Sequence, residues 1–141
     1  MDAKILNKAN EIMKQAKQAY VGSIDKEGYP NVATRSLIHP KDMSSCFFST
    51  GTGANLMSNI NQNNKAGVCI REGGNNISLH GTIEIITDKA IKEQMWLDWF
   101  INHFPKGVND PTYCLLKFTA IRGTLWVDNV YDQFIISEIE Q

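Results

Sequence analysis

Residues 77–86, Ile-Ser-Leu-His-Gly-Thr-Ile-Glu-Ile-Ile, give the clearest alternation of apolar and polar side chains in the chain. Ile77, Leu79, Gly81, Ile83 and Ile85 fall on one face, and Ser78, His80, Thr82 and Glu84 fall on the other. A period of two puts successive side chains on opposite sides of a strand, so this stretch is a strand with one buried face and one solvated face. Gly81 marks a bulge or a close approach of another backbone. His80 reads as a hydrogen-bonded residue on the sheet face, because no serine or cysteine nucleophile pattern surrounds it.

Other periodic elements, helical and extended, flank this strand. Ile5, Ala9, Ile12, Met13 and Ala16 repeat at helical spacing between Lys4, Lys8, Glu11, Lys14 and Lys17, which predicts a lid helix over 2–17 with a solvated basic face. Glu11 and the narrow apolar stripe argue against a basic partner-binding helix. Residues 18–24 and 30–38 read as a hairpin around Asp25-Lys26-Glu27-Gly28-Tyr29, with Gly28 supplying a residue at φ > 0. In its second strand Val32, Thr34, Ser36 and Ile38 face one way, and Ala33, Arg35 and Leu37 the other. Arg35 is thus a cation in mid-strand, read either as a rim salt bridge or as a ligand contact. His39-Pro40 should end the strand and leave His39 in an exposed loop.

Ala66–Arg71 is a further strand, followed by a turn at 72–76. After the strand at 77–86, Thr87-Asp88 should cap a helix running to about Phe104. Its face of Ile91, Met95, Trp96, Trp99, Phe100 and Phe104 reads as core, with an oligomer interface or the wall of a planar-ligand pocket as alternatives. Pro105-Lys106-Gly107 breaks that helix. Tyr113–Thr119 and Gly123–Asp128 then read as consecutive strands, and Phe134–Ile139 as a short edge strand. About six or seven meander-connected strands with three helices predict a mainly β (α+β) fold, a closed or partly closed barrel, in one domain over 1–141.

Composition excludes several classes of function. The 141 residues carry a net charge of −1 with lysines and arginines scattered, so nothing suggests a nucleic-acid footprint. No apolar run approaches the ~20 residues of a membrane span, and the N-terminus lacks a signal-peptide core, which makes the cytoplasm the expected compartment. The sequon Asn76-Ile77-Ser78 is discounted on the same ground. Cys46, Cys69 and Cys114 are odd in number and far apart, and read as reduced, buried thiols. No Cys-x-x-Cys or histidine cluster suggests zinc.

The stretch most suggestive of chemistry is Phe47-Phe48-Ser49-Thr50-Gly51-Thr52-Gly53-Ala54-Asn55-Leu56. It opens as a strand, breaks into Ser, Thr and Gly, and starts a helix in which Leu56, Met57 and Ile60 share a face opposite Ser58, Asn59 and Asn61. Residues 61–64 stop that helix. The first N–H groups of a helix have no intrahelical partner and carry the positive end of its dipole, so such a segment can surround an anion. The plainer reading is an ordinary connection capped by Thr52. Gly51-x-Gly53 is no dinucleotide fingerprint, because Leu56 stands where a third glycine would be.

Four blocks together carry a resemblance: Val-Gly-Ser-Ile-Asp-Lys-Glu-Gly-Tyr-Pro at 21–30, Phe-Phe-Ser-Thr-x-Thr at 47–52, Leu-His-Gly-Thr-Ile-Glu-Ile at 79–85, and the stretch 103–118 containing Gly-Val-x-Asp-Pro-x-Tyr. From about residue 8 to 130 the chain resembles the pyridoxamine 5′-phosphate oxidase-like superfamily, in particular its short general stress protein 26-like group. The resemblance implies an FMN-binding split β-barrel that acts as a homodimer, with a flavin in each of two clefts between subunits. FMN ends in a phosphate dianion, for which Ser49, Thr50, Gly51, Thr52, Gly53 and Asn55 offer hydroxyls and a helix start. Ala33 and Thr34 would allow close approach of the isoalloxazine, and the aromatics of 91–104, Trp96 among them, or Trp126 would wall it. Family members usually carry Lys or Arg at one of the positions matching Asn55 and Leu56, and Arg35 is the candidate to replace that cation. The usual proline after Asn63 is Asn64 here.

Two functions of different classes follow. One is a flavoprotein that oxidises or reduces a small molecule. The other is a split-barrel dimer with weak or no flavin binding, acting as a stress-linked binding or scaffold protein. A deazaflavin or heme in the same cleft is a third alternative. No residue pattern names a substrate, an electron donor or a catalytic group, and none identifies recognition of pyridoxamine phosphate.

Overall fold

A computed structural model describes residues 1–139. The elements run α1 (Ala3–Gln15), β1 (Gln18–Ile24), β2 (Pro30–Asp42), β3 (Ser45–Gly51), α2 (Asn55–Gln62), β4 (Lys65–Glu72), β5 (Asn75–Ile86), α3 (Lys89–Gln94), β6 (Tyr113–Val127) and β7 (Val130–Ile135). Every pairing is antiparallel, in the order β3-β2-β1-β4-β5-β6-β7. β3 also pairs with β6, so six strands close into a barrel and β7 lies outside the closure. The split-barrel expectation holds.

Two apolar clusters fill the fold because alternate residues of one strand point to opposite faces. Phe48, Leu116 and Phe118 go inward with Val21, Ile77 and Leu79. The helix α1 adds Ala9, Ile12 and Met13 to that cluster, each at most 3% exposed. Phe47, Leu115 and Tyr113 belong to the second cluster instead, with Ile38, Phe100 and Phe104. On β5 the expected alternation holds through Ile83; Ile85 is exposed, and Ile86 packs on the second cluster.

Four boundaries differ from the sequence reading. The helix expected to reach Phe104 stops at Gln94, and a 3-10 turn follows at Asp98–Asn102. A continuous helix would spread its aromatics along one stripe, whereas here they converge on one tyrosine. Trp96, Phe100 and Phe104 have ring centroids 5.3, 5.9 and 5.2 Å from Tyr113. Lys92 Nζ donates to the Tyr113 carbonyl at 3.0 Å, and the Tyr113 hydroxyl donates to the Lys92 carbonyl at 3.2 Å, which fixes α3 against β6. Most of the aromatic stretch is therefore core, while Trp99 is exposed. The strand β2 does not end at His39-Pro40. His39 adopts φ 45 and the register shifts between Ile38 and Asp42, so a bulge absorbs the proline and β2 continues.

Residues 113–127 form one strand rather than two. His80 pairs with Arg122 and Gly81 with Ala120, so Ile121 is an extra, bulged residue. Both readings of Gly81 hold: a methyl there would overlap the Thr119 carbonyl oxygen and approach Ala120 Cα to 2.9 Å. The edge strand β7 starts at Val130, earlier than 134–139, because Asp128 and Asn129 take φ 50 and 65 and close a two-residue hairpin turn. No helix among the described residues is long and apolar enough to cross a membrane.

Candidate functional site

Cross-strand pairing sets one face of the β1–β2 hairpin. Ala19 lies opposite Arg35, Val21 opposite Ala33, and Ser23 opposite Asn31. Paired residues point to the same side, so all six share a face. The helix α2 packs on that side and completes a cleft of about 150 Å³ lined by Val21, Ser23, Asn31, Ala33, Arg35, Asn55 and Leu56. No carboxylate lines it.

Arg35 is the group in this cleft without a protein partner. Its Nε is buried and has no hydrogen bond, and no other buried side-chain nitrogen or oxygen among the described residues is in that position. The salt-bridge alternative for Arg35 is therefore not realised among the described residues. The helix start beside it is also open. The N-cap of α2 is Ala54, with no side-chain cap, so Thr52 does not cap this helix. The strand-to-helix turn brings Gly51 O to within 3.2 Å of Ala54 N, which places the cap of α2 two residues beyond Thr52. The first-turn N–H groups of Asn55 and Leu56 have no intrahelical acceptor.

The other expected residues are distributed as follows. Thr50 is buried on the inward face of β3 and Ser49 is half-buried on the opposite face, while Thr52 and Gly53 are exposed in the turn after Gly51. Thr34, on the other face of β2 from Arg35, lines a separate cleft with Gln18, Tyr20 and Arg71. Trp96 lies in the aromatic cluster at Tyr113. Trp126 is exposed near the far end of β6, paired with Asn76 and Tyr131, whereas Gly51 pairs with Tyr113 at the near end. The fold thus brings Ala33, Arg35 and Asn55 together and keeps Thr34, Trp96 and Trp126 out of their cleft.

Sequence reasoning missed Ser23, Asn31 and Asn59. Asn59 does not lie on the solvated side of α2: it is 6% exposed and donates from Nδ2 to Ser23 Oγ at 2.9 Å. The available signal was Ser23 on the buried face of β1, alternating with Val21. A larger cleft of about 520 Å³ lies over the cross-strand row Gly22, Gly67, His80 and Arg122, and also escaped the sequence reading. The three cysteines are free. Burial pushes the Cys46 thiol to about 12 and raises Cys69 and Cys114, so none is an activated nucleophile.

A closed six-stranded barrel with an open, partly cationic cleft beside a helix start defines the class. The chain belongs to the pyridoxamine 5′-phosphate oxidase-like family, whose pattern matches residues 5–140. It is similar to a crystal structure from Clostridium acetobutylicum, described as related to general stress protein 26 of B. subtilis and as of the pyridoxinephosphate oxidase family. That similarity is 31% identity over 99% of this chain and 100% of that one, with a TM-score of 0.89. General stress protein 26 from Bacillus anthracis shares the fold at 16% identity and a TM-score of 0.75, over 91% of this chain and 97% of that one. So does a pyridoxamine 5′-phosphate oxidase-related, FMN binding protein from Nostoc punctiforme, at 16% identity and a TM-score of 0.66, over 87% and 80%. No match is found among curated proteins.

Proposed function

We propose that this protein is an FMN-binding flavoprotein that works as a homodimer and oxidises or reduces a small molecule. The observation that carries this reading is the unpaired, buried Arg35 Nε beside the uncapped start of α2. Burying a guanidinium nitrogen without a partner is unfavourable, and a phosphate oxygen would relieve it. The helix start adds about half a positive charge. Arg35, Asn55 and the first N–H groups of α2 would hold the phosphate, with Thr52 and Gly53 at the turn. Pairing of β2 with β3 begins only at Leu37, so the edge at Ala33 and Thr34 is open to a flat ring. When bound, the flavin supplies the redox chemistry; the chain orients it and compensates its charge.

Support for a second copy lies on the outer sheet face. Tyr20, Val32, Ile121 and Trp126 are exposed there by 46, 64, 57 and 42%. Gly22 and Gly67, paired across β1 and β4, have room for a methyl: the nearest atoms would lie at 3.8 and 3.7 Å. Glycine within a strand weakens it and often marks the approach of another backbone. The aromatic stretch 91–104, by contrast, is mostly used up within the chain.

Asn55 and Leu56, neutral where a cation would pair with phosphate, favour the second reading: a split-barrel dimer with weak flavin affinity serving as a binding or scaffold protein. Visible absorbance of the purified protein, followed by titration of FMN with fluorescence detection, separates the two. A flavin doublet and saturable quenching are expected. A Soret band, or no binding at high FMN, would overturn the flavoprotein reading.

A further inference from the structure

Ser23 and Asn59 form a hydrogen-bonded polar pair buried between β1 and α2, 4% and 6% exposed. We propose that Ser23 is a direct ligand of the FMN phosphate and that Asn59 is the residue that positions its hydroxyl. This rests on the flavoprotein reading above.

A serine hydroxyl has one proton to donate and two lone pairs to accept with. Asn59 Nδ2 occupies one lone pair at 2.9 Å, so the Ser23 proton must be directed elsewhere. Among the described residues, no protein acceptor takes it. Ser23 lines the 150 Å³ cleft together with Arg35 and Asn55, so a hydroxyl proton and a guanidinium N–H, neither taken by a protein acceptor among the described residues, belong to the lining of one small space. Two unused donors in a cleft without a carboxylate call for an acceptor-rich anion, and phosphate is one. The pair also ties the site together. α2 carries the open N–H groups at Asn55 and Leu56, β1 carries Ser23, and the Asn59 amide fixes the one element on the other one turn from the helix start.

The test compares FMN with riboflavin, which has the same ring and ribityl chain but no phosphate, using the full-length protein and flavin fluorescence. Ser23→Ala should weaken FMN by roughly tenfold and leave riboflavin unchanged, as expected for loss of one hydrogen bond to an anion. Ser23→Thr keeps the hydroxyl and should bind FMN as wild type does. Asn59→Asp should weaken FMN by more than Ser23→Ala, since a carboxylate accepts the serine proton and repels the phosphate, again with riboflavin spared. Asn59→Asp also keeps the proposal open to test if Ser23→Ala fails to fold. Equal losses for FMN and riboflavin would mean the pair is merely structural and would overturn the proposal. Wild-type affinity for FMN in Ser23→Ala would overturn it while the flavoprotein reading stood. Wild-type protein that binds neither ligand would overturn both.

Discussion

At the β5–β6 seam a methyl group on Gly81 would lie 2.8 Å from the Thr119 carbonyl carbon, and one on Gly123 would lie 2.6 Å from the Ser78 oxygen. On the β1–β4 side of the same sheet, Gly22 and Gly67 meet nothing closer than 3.8 and 3.7 Å. The first pair of glycines is explained by the chain's own packing: two backbones come so close that no side chain fits between them. The second pair is not, and neither is the unpaired Arg35 Nε on the adjoining hairpin. One side of the barrel is complete within the chain, and the other is the side to which the proposal assigns a flavin and a second copy. A strand glycine therefore has no single meaning, and only the space around it separates the two.

The largest effect expected is at the seam. Gly81→Ala forces a methyl into backbone, which cannot yield as a flexible side chain would, and should cost upwards of about 3 kcal/mol. Against a typical stability of about 5–15 kcal/mol, that is a large drop in the thermal midpoint or failure to fold. A midpoint close to wild type would erase the contrast between the two pairs.

Next comes Arg35→Ala, which should weaken FMN by roughly tenfold to a hundredfold, since a charge-assisted hydrogen bond contributes on the order of 1.5–3 kcal/mol. Its thermal midpoint without flavin should not fall, because the substitution removes a buried nitrogen with no partner. Asn55→Lys should tighten FMN by restoring a cation at the helix start. Isothermal titration and melting curves check all three statements, and a destabilised Arg35→Ala with normal FMN affinity would place Arg35 on the structural side.

A smaller change is expected from Gly22→Ala. The protomer should keep its stability or gain up to about 1 kcal/mol, because alanine loses less backbone freedom than glycine. The proposed dimer, if it forms through this face, should dissociate more readily, read as the concentration at which light scattering shows half monomer. Unchanged association would mean that the outer face is not the contact surface.

The smallest effect concerns pH on the complete side. The Asp110 carboxylate accepts from the Thr112 hydroxyl at 2.7 Å, from Thr112 N at 2.9 Å and from Lys106 N at 3.1 Å. These bonds, the hydroxyl foremost, hold its pKa below the usual carboxylate range. A lowered pKa in the folded state means stability that is full above the unfolded value, about 3.9, and lost as pH falls through the folded one. Asp110→Asn should flatten the acid limb of the stability–pH curve, and an unaltered limb would show that the turn at 110–112 contributes nothing there.

What the sequence by itself determined is what local chemistry dictates. Alternation set the strands β1, β4 and β5, Asp88 capped α3, and Gly28 closed the first hairpin at φ 86. The four blocks of the resemblance carried the closed barrel. Arg35 stood out because a charge in mid-strand needs a reason, and Asn55 because the resemblance sets a cation at its position or the next. Tertiary structure decided everything that depends on which surfaces meet. The aromatic stretch broke its helix because Tyr113, far along the chain, offered a common surface for Trp96, Phe100 and Phe104. Pro40 was absorbed in a bulge because β3 continued the pairing beyond it. Asn59 was drawn from the polar side of α2 into the interior because β1 placed Ser23 there. Periodicity records how often a side chain faces the core, not which partner waits there, and so the partner of Asn59, the room for a methyl at Gly22 and the burial of Arg35 Nε without a hydrogen bond emerged only when the strands were joined.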